Sequence, residues 1–84
     1  ELSQNYPNPF NPTTNLEFGI SELGLVSLKV YNASGKEVAT ILNEVKPAGY
    51  YTVSFNGANL SSGIYFYTMT AGNFVSTKRM ILLK

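Results

Sequence analysis

Short runs in which apolar and polar side chains alternate, each closed by a turn signal, recur from Thr13 onward and leave few folds open to the chain. Leu16, Phe18 and Ile20 alternate with Asn15, Glu17 and Gly19; after Ser21-Glu-Leu-Gly24, Val26, Leu28 and Val30 alternate with Ser27, Lys29 and Tyr31. Period two is the period of a pleated strand with one buried face. Tyr51, Val53 and Phe55 form another such face. Glu37 to Asn43 is less regular, with Val38 and Leu42 on one face and Ile41 on the other, which predicts a strand with a bulge or a helical turn.

The punctuation agrees with the periodicity. Ala33-Ser-Gly-Lys36 predicts a type I turn plus bulge with Gly35 left-handed; Lys46-Pro-Ala-Gly49 predicts a turn, and residues 56–62 a polar loop. The stretch from Gly63 to Lys84 reads as two antiparallel strands closed by Gly72-Asn73, since Gly takes the positive φ that a two-residue hairpin turn needs. Residues 1–12 form a Pro-rich lead-in: Leu2 to Tyr6 reads as a short edge strand, and Pro7-Asn-Pro-Phe-Asn-Pro12 as an extended, polyproline-like segment. One reading of that segment is a rigid strap that packs Tyr6 and Phe10 on the body and protects an edge; the other is a ligand for an aromatic groove. Together this makes about seven short strands with turns every 8–12 residues or so. The fold class is therefore all-β, an immunoglobulin-like antiparallel β-sandwich that does without the disulfide and tryptophan of antibody domains.

With 84 residues the chain has room for a single domain, 1–84, of modest stability. It begins at Glu1 without an export signal and reads as excised from something longer, and its apolar last stretch reads as an end that is docked or recognised. No run is long enough to span a bilayer, and a net charge of +1 argues against nucleic acid and against a polybasic membrane patch. His, Cys, Asp and Trp are all absent, and the five Glu (1, 17, 22, 37 and 44) are spread one per element. A serine nucleophile has no base here and a metal has no converging ligands, so the expectation is a non-catalytic protein with no cofactor.

Several segments match one family in order: Asn5-Tyr-Pro-Asn-Pro-Phe-Asn-Pro-Thr13, Leu28-Lys-Val-Tyr-Asn-Ala-Ser-Gly-Lys-Glu-Val38, Pro47-Ala-Gly-Tyr50, Leu60-Ser-Ser-Gly-Ile-Tyr-Phe-Tyr67, and Thr77-Lys-Arg-Met-Ile-Leu-Leu-Lys84. The chain resembles a type A C-terminal sorting domain of the bacterial type IX secretion system, and is similar to the immunoglobulin-like domain of flagellar hook-assembly scaffolding proteins. The resemblance implies an N-terminal passenger carried through the periplasm of a Gram-negative bacterium. Its partners would be the outer-membrane translocon, which recognises the last strands, and a sortase-like signal peptidase that cuts before the domain. The passenger ends on the cell surface or is released. Carried over residue by residue, the translocon-recognition elements are Gly63 and Tyr65, Gly72, Lys78, Arg79 and Met80, and Lys84, all within the final hairpin, 63–84. Where many members carry Asp and a bulky apolar residue, this chain has Asn32 and Ser34, which makes that turn more polar.

Physical pattern alone offers two roles for the last strand: β-augmentation or insertion into a receptor groove, or completion of the core by Met80 to Leu83 with Lys78, Arg79 and Lys84 keeping the edge soluble. Two other functions stand beside the sorting signal: a structural immunoglobulin-like module, and a carbohydrate-binding accessory module using Tyr50, Tyr51, Tyr65 and Tyr67 as a platform. Asn32-Ala-Ser34 and Asn59-Leu-Ser61 fit the N-glycosylation pattern by chance in a chain rich in both residue types.

Overall fold

The computed structural model describes every residue from Glu1 to Lys84. Six strands run β1 (Thr13–Ile20), β2 (Gly24–Asn32), β3 (Glu37–Lys46), β4 (Gly49–Asn56), β5 (Gly63–Ala71) and β6 (Phe74–Leu82). They form two antiparallel sheets, β1-β4 and β3-β2-β5-β6, packed as an open two-plus-four sandwich. No helix is long and apolar enough to cross a membrane.

The alternation read in the sequence is the alternation of burial. Leu16 and Phe18 on β1, Val26, Leu28 and Val30 on β2, and Tyr67 and Met69 on β5 point into one core, while their chain neighbours face outward. At the end of β1 the alternation breaks because Gly19 is buried too. The Tyr50 ring lies on it so closely that a Cβ there would sit 2.8 Å from Cε1. β3 carries two register shifts against β2, opposite Leu28/Lys29 and Val30/Tyr31, which makes the irregular strand bulged rather than helical. It also runs on to Lys46, and Pro47-Ala48 then carries the chain across to the other sheet.

The seventh strand does not form. Residues 1–3 pair with β1 in one register and Tyr6 bridges Asn15 in another, one residue out of step, so the pairing does not run on into a continuous strand. Nor do residues 7–12 run as one extended polyproline segment: the chain bends from the edge of the small sheet, where Tyr6 bridges Asn15, to the edge of the large one, where Phe10 bridges Leu82. The strap reading holds for Phe10, which is buried beside Phe55 at a centroid distance of 6.2 Å, edge to face. It fails for Tyr6, which projects into solvent.

The Asn32 turn is satisfied in spite of its departure from the family pattern. Its side-chain oxygen accepts hydrogen bonds from Ser34 N, Ser34 Oγ and Lys36 N, the acceptor role an aspartate would fill. Gly35, at φ +90°, is the left-handed residue that the turn signal predicts.

Candidate recognition surface on the final hairpin

The hairpin is built from its turn outward. Ala71 pairs with Phe74 around Gly72-Asn73; Gly72 has φ +61° and Asn73 does not have positive φ, which is the type II′ arrangement that keeps two strands in register with their twist. Pairing then continues through Tyr67 with Lys78, Phe66 with Arg79 and Tyr65 with Met80 to Gly63 with Leu82.

The predicted recognition residues divide by environment. Tyr65 and Met80 face each other in the core, and the Tyr65 hydroxyl donates to the Ser61 carbonyl at 2.7 Å, four residues upstream, tying the loop to the strand. Gly63, opposite Leu82, opens β5. Lys78 is half-buried at the margin between the sheets, and Arg79 is exposed on the outer face. Lys84 docks back on the β4–β5 loop: its Nζ donates to the Ala58 and Leu60 carbonyls at 2.6 and 2.7 Å and its backbone N–H to Ser62 Oγ at 2.9 Å. The set does not converge on a point. Gly63 and Gly72 close opposite ends of β5, roughly 30 Å apart at about 3.3 Å per residue.

Sequence reasoning missed how the lead-in grips this hairpin. Gln4 Nε2 donates to the Arg79 carbonyl (2.6 Å), Ile81 N–H donates to Asn8 Oδ1 (3.0 Å), and Phe10 exchanges backbone bonds with Ile81 and Leu83 at 2.9 and 3.0 Å. The Tyr67 hydroxyl, fully buried, donates to the Ser3 carbonyl and accepts from Asn5 N–H, both at 2.7 Å. Burial pushes that hydroxyl up to about 12, with the Asn5 N–H pulling the other way. Buried Asn5 in turn donates through Nδ2 to Thr14 Oγ1 and the Pro7 carbonyl. Nothing in the local pattern marks Gln4, Asn5 or Asn8, because the hairpin groups they bond, on Arg79, Tyr67 and Ile81, lie far away in sequence.

β6 is the outer strand of its sheet, and its odd-numbered residues turn their backbone groups away from β5. The strap covers Arg79 C=O, Ile81 and Leu83; the N–H and C=O groups of Val75 and Thr77 have no partner. The charge beside this open stretch is of one sign, because Lys78, Arg79 and Lys84 are the charged residues of the hairpin and all five Glu precede residue 45. Chemically the surface offers strand pairing and cationic hydrogen bonding.

The tyrosine platform is not assembled. Tyr65 and Tyr67 are core residues, Tyr51 stacks on Phe18 at 5.5 Å with its hydroxyl on the Pro47 carbonyl, and Tyr50 alone of the four is exposed.

Fold and edge define a small all-β module built around a strapped final hairpin. Residues 4–83 match the family described as "Secretion system C-terminal sorting domain", and the chain belongs to that family: it is a C-terminal secretion signal of the type IX system, whose role is export to the cell surface or release. Such a signal engages the secretion machinery. The structure of PorZ, an essential bacterial surface component of the type IX secretion system of Porphyromonas gingivalis, superposes with a TM-score of 0.70 at 17% identity over 96% of this chain. That likeness concerns the fold, and the chain spans 11% of PorZ. A search of curated proteins finds no match.

Proposed function

We propose that the address is read on the folded domain, at the outer edge of β6, by the outer-membrane translocon on the periplasmic side of a Gram-negative envelope. In this reading Lys78 and Arg79 make the charged contacts, while Gly63, Tyr65, Gly72 and Met80 hold the edge strand in place and Lys84 anchors its end. An N-terminal passenger travels with the domain, a sortase-like peptidase separates the two, and the domain itself does no chemistry. The observation that carries the reading is the unpaired backbone of Val75 and Thr77 on an edge strand whose only charges are positive.

Burial of Met80 and Leu82 favours a second reading, in which the last strand only completes the core. One experiment separates the two. Residues 1–84 are fused to a periplasm-directed fluorescent protein in a bacterium with a type IX system, with and without Lys78→Ala and Arg79→Ala together. Neither side chain is buried, so the double variant keeps its folding stability within about 1 kcal/mol. Loss of fluorescence outside the cell, with the variant domain still folded, is the expected result. Undiminished export would sink the edge reading and leave the core-completion one.

A further inference from the structure

At the hairpin-turn end the two sheets splay apart around a cleft of about 780 Å³. Its walls include Ile20, Val26 and Met69 from the strands, and Leu23, Tyr50 and Phe74 at the rim. Four of the nine exposed large apolar residues, Leu23, Leu25, Tyr50 and Phe74, belong to it. Apolar surface gathered in one concave place marks something that covers it.

The path of the chain says what that is. Glu1 also lines the cleft, and it is already paired with β1: its nitrogen donates to the Gly19 carbonyl at 2.9 Å, and its carbonyl accepts from Gly19 N–H at 2.8 Å. Leu2, antiparallel to Phe18, is buried, while Glu1 points outward. A residue placed before Glu1 in the same register lies opposite Ile20, and by strand alternation its side chain returns to the side of Leu2, between the sheets. We infer that in a protein carrying this domain the residue immediately upstream of Glu1 is apolar, of aromatic or large aliphatic size, and seats in this cleft. The passenger then joins the domain through a paired, anchored strand. The inference rests on the family assignment, by which the passenger precedes the domain, and not on which residues the translocon reads.

The test is one of phase. Residues 1–84 are compared with two versions lengthened by a dipeptide before Glu1, Ser-Phe and Phe-Ser, which have the same composition and differ in which residue adjoins Glu1. The Ser-Phe version is expected to melt at least about 4 °C higher than residues 1–84, the smallest shift that 1 kcal/mol of side-chain burial gives in a domain of this size. Its ring should show nuclear Overhauser contacts to Ile20 and Met69 methyl groups, while Phe-Ser shows neither effect. Leu23→Ser, at a position exposed in residues 1–84, should leave the unlengthened domain unchanged and reduce the Ser-Phe gain. Equal effects from both dipeptides, or none from either, would overturn the proposal. Export need not be measured, so this result stands apart from the fate of the edge reading.

Discussion

Removing one oxygen atom should loosen the strap. Tyr67→Phe keeps the ring in place but deletes the hydroxyl that serves Ser3 C=O and Asn5 N–H at once. Asn5 is buried, so its N–H is left without water or protein to bond, and the loss of a buried partner costs about 2 kcal/mol. In a domain of 84 residues that lowers Tm by roughly 10 °C. The pH dependence gives the same contact a second signature. The folded-state value of about 12 lies above the ordinary tyrosine value of about 10, so the stabilisation is whole below pH 10 and fades as the pH climbs towards 12. Across that window the unfolded chain ionises this group while the folded chain keeps it neutral, at up to about 1.4 kcal/mol per pH unit. Urea titrations of both proteins at pH 7, 10 and 11.5 check this, since the difference between them isolates Tyr67 from the other tyrosines and lysines. The gap should hold from pH 7 to 10 and shrink by 11.5. A gap below about 0.5 kcal/mol at pH 7, or one that does not change with pH, would refute the argument that this hydroxyl pins the lead-in.

Two further substitutions probe the hairpin. Gly72→Val places a β-branched side chain at φ +61° and should cost about 1–2 kcal/mol, read as a lower urea midpoint with unchanged slope. Met80→Ala empties a fully buried site opposite Tyr65 and should cost about 2–5 kcal/mol; a value under 1 would mean that the β6 core face is not packed as described.

All six strands and the order of the turns were legible because they are written locally. Leu16 and Phe18, or Val26, Leu28 and Val30, need only their own spacing to declare a buried face, and Gly72-Asn73 needs only its own backbone. The bulges of β3 were half legible: the pattern broke between Val38 and Ile41, and the partner register decided how. The lead-in was misread because its conformation is set from outside. Leu2 and Tyr6 each find β1, but in registers one residue apart, and Phe10 is held by Ile81 and Leu83 from the far end of the chain. The arrangement of the candidate recognition residues was not legible from their types. Tyr65 and Met80 look like contacts in a motif and prove to be core, whereas the open groups at Val75 and Thr77 belong to the backbone and leave no mark on residue identity.

This arrangement decides which experiments can speak about the address. Cutting the chain before Lys78 removes Met80 and Leu82 from the core, and also the backbone partners of Phe10, Asn8 and Gln4. The strap then has nothing to grip, and the small sheet loses the cover along its β1 edge. A truncated domain that stays inside the cell is therefore ambiguous between an erased signal and an unfolded one. The same coupling gives edge reading a physical rationale. β5 and β6 form the outer half of the large sheet, and their free edge takes shape only when the lead-in at one end of the sequence and β6 at the other have met. A receptor that pairs with Val75 and Thr77 would thus bind a surface that unfolded or partly folded chains do not present. Of the two kinds of perturbation, only changes to side chains outside the core beside that edge test the proposed address while leaving the fold intact.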